Sequence, residues 1–393
     1  MVVFWLSGLT VVYTFVGYGI LITLLAWFVN RPVLRQPITP SVTLIIPAYN
    51  EEAVIAEKLD NCLELDYPPE KLEIVVVADG SNDRTGEIVR GYTSRGVKLL
   101  YQAERRGKIA AMNRAAPFAL GQVLVFSDAN AILEPQAIRM LVANLADPKV
   151  ACAGGEKRIR RAASVQAQGE GAYWRYEAYL KRLDSKINTA IGAIGELFAI
   201  RRELYRPLDN DLLIEDFVMT MKLVAQGWRV VYEPSAITWE EASPSLAMEW
   251  RRRVRMAAGG FQAIGRLKDM LNPLHGLAAI QYISHKVLRW LAPFFMMATF
   301  VANLGLLHLT FYRWTMAAQI IFYALALLGY GLQGAGDPRS DDGILDKRIS
   351  ADHVYGLGEL TRRKRLQCHP HQLERRRRVL PSAVAHYPRN TVS

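Results

Sequence analysis

The chain has 393 residues, with 48 Lys+Arg against 37 Asp+Glu for a net charge of +11, and it is 51% hydrophobic but only 22% charged. That length permits two or three domains around a sizeable core, and the apolar content excludes a disordered chain. Its three cysteines, Cys62, Cys152 and Cys368, are few, odd in number and form no CxxC pair, so neither a disulfide framework nor a structural zinc site is indicated, which suits a reducing, cytoplasm-facing body.

In chain order, Val2 to Val29 is free of charge over 28 positions, and about 20 apolar residues suffice to cross a bilayer. The run lacks the basic start and small-residue cleavage site of a signal peptide, so residues 1–30 read as an uncleaved membrane helix. Residues 31–40, with three prolines, read as a linker. Four short apolar runs follow, Val42–Pro47, Leu72–Ala78, Val97–Tyr101 and Val123–Ser127. They alternate with helix-like stretches at Ala53–Leu65, Asp83–Ser94 and Lys108–Ala119. This pattern predicts an α/β body on a parallel, doubly wound sheet. Ligands of such sheets bind beyond the carboxyl ends of the strands, where Asn50-Glu51, Asp79-Gly80-Ser81 and Asp128-Ala129-Asn130 fall.

After Val150 the alternation weakens. A helix over Ser164–Asn188, a strand pair over Ile191–Ile200 and a helix over Phe217–Gln226 complete a domain at 41–245. An Arg-dense helix over Leu246–Ile264 and an interfacial helix over Leu271–His285 occupy 246–286. Two further apolar runs, Trp290–Phe311 and Trp314–Leu332, make a pair of membrane helices at 287–333, and 334–393 reads as a basic tail. Arg31, Arg35, Lys286 and Arg289 flank the spans on one side, whereas only Arg313 falls in the second hairpin loop. The positive-inside rule then puts residues 31–289 and the tail in the cytoplasm of a multi-pass cell-membrane protein. Trp27, Trp290 and Trp314 fall at the expected interfaces. The same rule accounts for the basic charge, and the tail lacks interleaved aromatics, so nucleic acid is not an expected partner; membrane lipids are.

Several clusters carry chemistry. Asp79 can accept from a nucleobase or ribose donor, with Gly80 allowing a tight turn, but Asp79 to Asp83 also reads as a turn and helix cap. Asp128 and Asn130, two apart in extended chain, point the same way and offer oxygens to Mg²⁺ or Mn²⁺ on a diphosphate; an ordinary strand-to-helix turn fits them as well. Glu215-Asp216 stands at a helix start, either as a base for an attacking hydroxyl or as acid favoured by the helix dipole. Arg252 and Arg255 share a helical face suited to a departing diphosphate, or to solvent or anionic lipid. Lys108 is either a phosphate contact or a plain surface lysine.

Together, Pro47 to Glu52, Asp79-Gly80-Ser81, Gly107-Lys108 with Asn113, Asp128-Ala129-Asn130, Gly195 to Phe198 before Arg201-Arg202, Ile214-Glu215-Asp216 and Arg252 to Met256 resemble a membrane-bound family 2 glycosyltransferase. The resemblance covers Ser41 to about Gly260 and extends to synthases of hyaluronan, cellulose and poly-N-acetylglucosamine, whose catalytic domain lies between membrane helices. It implies a GT-A (Rossmann-like) cytoplasmic domain and an inverting hexosyl or N-acetylhexosaminyl transfer from a UDP-sugar to a polysaccharide or lipid acceptor. Ala48, Tyr49, Glu51 and Asp79 would hold the nucleoside, and Asp128 with Asn130 would hold Mg²⁺ or Mn²⁺. Lys108, Arg252 and Arg255 would meet the phosphates, and Asp216 beside Glu215 would be the general base. Export of the product leaves room for a partner protein. This chain departs from the processive synthases at Asn130, where they carry a second aspartate, and at Met256, where they carry a tryptophan. Those departures motivate the alternative expectation, a catalytically degenerate membrane scaffold or nucleotide-binding regulator.

Overall fold

The computed structural model describes residues 1–160, 165–241 and 246–335; most of the stretch read as a basic tail therefore lies outside the described residues. Strands β1 (Val42–Ala48), β2 (Leu72–Asp79), β3 (Val97–Gln102) and β4 (Val123–Ser127) form where the first four apolar runs stand. Val42 to Ile46 are all buried, as are all five residues of β4, so both strands are covered on two faces. Strand β1 lies between β2 and β4 and runs parallel to both, and β2 runs parallel to β3. The polar residues following β1, β2 and β4 therefore emerge at one edge.

The sheet does not stop at Val150. Strands β5 (Ile132–Leu133), β6 (Val150–Arg160), β7 (Leu197–Arg201) and β8 (Arg229–Glu241) extend it to eight, in the order β3-β2-β1-β4-β7-β6-β8-β5. It is mixed rather than parallel, because β7 enters between β4 and β6 antiparallel to each. Only Leu197–Arg201 of the expected strand pair is a strand. The approach from Ile191 is a loop in which Gly192 takes φ +84°, a left-handed turn that a continuous strand cannot hold. No strand was expected over β6, whose apolar start gives way to charged, partly exposed residues.

Helices α1 (Val2–Phe28), α2 (Ile55–Leu63), α3 (Thr85–Gly91), α4 (Lys108–Ala115) and α5 (Ala137–Ala143) precede β6. Helices α6 (Val165–Ile187), α7 (Glu215–Ala225), α8 (Leu246–Arg266), α9 (Leu277–Leu304) and α10 (Thr310–Ala335) follow it. Alternate strand residues feed two cores. Ile45, Val75, Val77, Leu124 and Phe126 pack with α4 and α7 on one face, and Leu44, Ile46, Val76 and Val125 pack with α2 and α5 on the other.

Among the described residues, three helices are long and apolar enough to cross a membrane: α1, α9 and residues Thr310–Gly329 of α10. The expected interfacial helix is not separate. Two short 3₁₀ turns end at His275, Gly276 turns the chain at φ +57°, and Leu277–Leu304 then runs as one helix. Arg313 lies within α10, not in the connecting loop.

Helices α1 and α9 each contain a π-helical turn, Tyr13–Gly17 and Ile283–Val287, joined by a 2.9 Å hydrogen bond between Tyr13 and Ser284 hydroxyls. Beside them α6 presents Glu177 and Asp184. The His285 ring, fully buried, sits 2.6 Å from Asp184 and 3.3 Å from Glu177. Tyr18 donates to Asp184 at 2.5 Å, and Glu177 also takes Lys286 and, at 2.7 Å, Arg289. Removing one partner of a buried ionic cluster strands the others, at a cost of about 3–5 kcal/mol. Glu177→Ala is therefore expected to lower the unfolding midpoint in detergent sharply, a result that thermal unfolding would check.

Candidate active site

The carboxyl ends of β1, β2 and β4 and the segment after β3 line a cleft of about 230 Å³ with Ala48, Tyr49, Glu51, Asp79, Arg105, Lys108, Asp128 and Asn130 in its wall. Seven of the residues singled out from the sequence are thus brought together. Arg105 was not among them. Its guanidinium lies 3.8 Å from the centre of the Tyr49 ring, a stacked pair that only the fold could reveal.

Asp79 ends β2 buried. One carboxylate oxygen accepts from the backbone N–H groups of Arg106 and Gly107 at 2.9 and 2.6 Å, which ties the Arg105–Gly107 loop over the cleft. The other oxygen has no hydrogen bond, and the Arg114 guanidinium is 3.5 Å away. Gly80 has φ +72°, and a Cβ there would lie 2.4 Å from the Arg105 backbone nitrogen. Gly80→Ala must displace that loop and is expected to cost about 1–3 kcal/mol and to weaken nucleotide binding, measurable by titration calorimetry beside thermal unfolding. Asn50 holds φ +55°; its side chain accepts from the Asn82 N–H at 3.0 Å, and its own N–H donates to Ser81 at 3.2 Å, which locks the first two loops together.

The turn Asp128–Asn130 is supported from below by Lys58 of α2, a fully buried ammonium that donates to the Ser127 hydroxyl at 2.8 Å and to the Ala131 carbonyl. Lys108, at the start of α4, is no plain surface lysine: its Nζ lies 2.7 Å from Asp128 and 3.0 Å from Glu215. Burial alone would lower its pKa, but those two carboxylates hold the ammonium well above its ordinary value. Glu51 is pushed up by burial and by Asp128 and Asp83. Asp128 and Asn130 offer hard oxygens, which suit Mg²⁺ or Mn²⁺. No group of three His, Cys, Asp or Glu fit to hold a metal occurs among the described residues. These two residues fit an ion whose remaining ligands are phosphate oxygens and water, the common arrangement for Mg²⁺.

Asp216 sits in the first turn of α7, next to the Glu215 that Lys108 joins to Asp128. A Cβ on Gly195 would come within 3.2 Å of the Asp216 carboxylate, so the glycine is what lets that carboxylate seat against the loop before β7. Burial, then the neighbouring Glu215 charge, push its pKa up to about 7. The adjacent Glu196 belongs to a second buried cluster missed in the sequence: Lys157 of β6 bridges Glu196 at 2.7 Å and Glu240 of β8 at 2.5 Å. Burial opposes the Glu196 charge, but Lys157 holds its pKa down at about 2, whereas burial and Glu196 push Glu240 up to about 7. The only sequence signal for this cluster is a lone lysine and two glutamates, on segments far apart in the chain.

Arg252 and Arg255 do not line the cleft. On α8, the Arg252 guanidinium donates to Glu249 at 2.8 and 3.2 Å and stands 5.8 Å from the Trp174 ring, while Arg255 is exposed.

A mixed α/β sheet with acidic and basic groups gathered beyond its carboxyl edge has the form of a GT-A nucleotide-sugar fold. Residues 40–259 match the family described as Glycosyltransferase like family 2, and the chain belongs to that family. It is 32% identical over 242 residues to the probable glycosyltransferase YdaM of Bacillus subtilis (strain 168), covering 56% of this chain and 55% of that one. It is 27% identical over 266 residues to the poly-beta-1,6-N-acetyl-D-glucosamine synthase of Staphylococcus aureus (strain COL), covering 65% and 64%. The chain thus aligns with less than two thirds of the length of these relatives. Among solved structures it resembles the mannosyltransferase PcManGT from Pyrobaculum calidifontis in complex with GDP-Man and Mn²⁺, with a TM-score of 0.62 and 27% identity over 83% of this chain and 98% of that one.

Proposed function

We propose that this protein is an inverting glycosyltransferase that moves a hexosyl or N-acetylhexosaminyl group from a nucleotide donor, a UDP-sugar, to a polysaccharide or lipid acceptor at the cytoplasmic face of the cell membrane. The observation that carries the reading is the line of groups Asp128–Lys108–Glu215–Asp216, which couples the Asp128–Asn130 turn to a carboxyl poised to titrate near neutral pH. A carboxylate with that pKa can take a proton from an acceptor hydroxyl at physiological pH.

In this reading Ala48, Tyr49, Glu51 and Asp79 hold the nucleoside. Asp128 and Asn130 hold Mg²⁺ or Mn²⁺, which when bound supplies positive charge to the diphosphate. Lys108 adds a second cation there. Asp216 takes the proton of the acceptor hydroxyl, whose oxygen attacks the anomeric carbon from the face opposite the donor bond. The bond from that carbon to the phosphate oxygen breaks, and the diphosphate leaves with the electron pair. The similarity to a poly-N-acetylglucosamine synthase and to a mannosyltransferase holding GDP-Man and Mn²⁺ supports a sugar nucleotide and a divalent ion. Helices α1, α9 and α10 support membrane anchorage, and the cations flanking them support a cytoplasmic catalytic domain.

Titration of the full chain in nanodiscs with UDP and with GDP, each with and without Mn²⁺, tests the reading. The expected result is Mn²⁺-dependent binding with UDP preferred, and nucleoside diphosphate release from the matching sugar nucleotide. Tight binding with no release in the presence of membrane acceptors would favour the scaffold or regulator suggested by Asn130 and Met256. No binding of either nucleotide would overturn both.

A further inference from the structure

The start of α7 is gripped at three contacts, each opened by a glycine. Gly259 of α8 is so close to Ile214 that a Cβ on it would lie 2.8 Å from the isoleucine methyl. Gly195 makes room for the Asp216 carboxylate at 3.2 Å. Gly192, at φ +84°, lies flat under Phe217, where a Cβ would stand 2.4 Å from the ring. The other side of Phe217 is closed by α9. Its ring meets Trp290 edge-on at 5.3 Å between centroids, and Tyr282 at 6.1 Å. The Trp290 indole in turn lies against Gly260, where a Cβ would come within 2.6 Å of the ring. Arg289, the preceding residue, is anchored to Glu177 at 2.7 Å, which ties this turn of α9 to α6.

We propose that Trp290, within a helix long enough to cross the membrane, is a positioning residue for Asp216: wedged between Phe217 and Gly260, it sets the first turn of α7 against the loop carrying Gly195. This rests on Asp216 acting as the base. The groups that face Asp216 are Glu215 of its own helix, Lys108 of α4, Glu196 before β7 and Lys181 of α6. A shift of the first turn of α7 changes its distance to the last three, and opening the Phe217 side admits water. The geometry thereby couples the membrane helix to the chemistry without any contact between Trp290 and a reactant.

The test compares wild type, Trp290→Ala, Trp290→Phe, Gly260→Ala and Asp216→Asn as full chains in nanodiscs. The readouts are transfer kinetics with UDP-N-acetylglucosamine and GDP-mannose, and amide hydrogen exchange over residues 215–220. Displacement of a reacting group by about 1 Å costs on the order of 10²-fold. Trp290→Ala is expected to lower kcat by about 10- to 100-fold with donor KM unchanged, to move the acid limb of the pH–rate profile to lower pH, and to speed exchange in the first turn of α7. Trp290→Phe restores most of each. Gly260→Ala pushes the indole from the other side and disturbs the same readouts, which covers the case of a poorly folding Trp290→Ala. Unaltered exchange, kcat and pH profile in Trp290→Ala, with Asp216→Asn inactive, would overturn the positioning role alone. Wild-type rates in Asp216→Asn would overturn the base assignment beneath it, and exchange over 215–220 still reports on the packing when neither donor turns over.

Discussion

Asp216→Asn is expected to lower sugar transfer by about 10²- to 10⁴-fold, the usual contribution of a general base, while leaving nucleotide binding intact. The amide matches the carboxylate in size, so the seat against Gly195 is kept and only the proton acceptor is lost. The wild-type rate carries the complementary signature. Burial and Glu215 raise the Asp216 pKa to about 7, and the base works only when deprotonated, so the rate should climb as pH rises through about 7. Lys108→Met, which removes the cation facing Glu215 and Asp128, should move that limb to higher pH, because the carboxylates would lose their positive neighbour. Stopped assays between pH 5 and 9 would read both effects.

Asp128→Ala has the second largest expected effect. It removes an oxygen from the proposed metal site and the 2.7 Å partner of Lys108 at once. Loss of a preorganised group that stabilises developing charge costs on the order of 10²- to 10³-fold in kcat. Mn²⁺ dependence of nucleotide binding should vanish in the same variant, whereas the fold should survive, because the turn remains fixed by Lys58 on Ser127 and Ala131. Unfolding curves and Mn²⁺ titrations separate the two consequences.

The parallel half of the sheet was legible because β1, β2 and β4 are short, buried on both faces and followed by polar clusters. Strand order then made Tyr49, Asp79 and Asp128 neighbours, since three parallel strands must release their carboxyl ends at one edge. The antiparallel entry of β7 was not legible. Gly195 and Glu196 reach the same edge from the opposite direction, with Leu197 paired to Ser127, and no local pattern encodes that crossing. Lys157 illustrates a different gap. It looks like a solvent-facing lysine in a polar strand end, yet it is buried between Glu196 and Glu240, partners 39 and 83 residues away. Lys108 was open to two readings for a similar reason, since Glu215 joins it only through the tertiary fold. The run Leu271–His285 was misread as a separate interfacial helix because its scattered polar residues suggested a water-facing side. Ser284 and His285 instead bond inward, to Tyr13 and to the two carboxylates of α6.

The most direct measurement is transfer of labelled sugar from UDP-N-acetylglucosamine and GDP-mannose by the full chain in nanodiscs made with native membrane acceptors, with and without Mn²⁺, beside Asp216→Asn. The expected result is Mn²⁺-dependent incorporation from a sugar nucleotide that falls to background in the variant although its nucleotide affinity is unchanged. Incorporation that persists at the wild-type rate in Asp216→Asn would contradict the assignment of that carboxylate as the base.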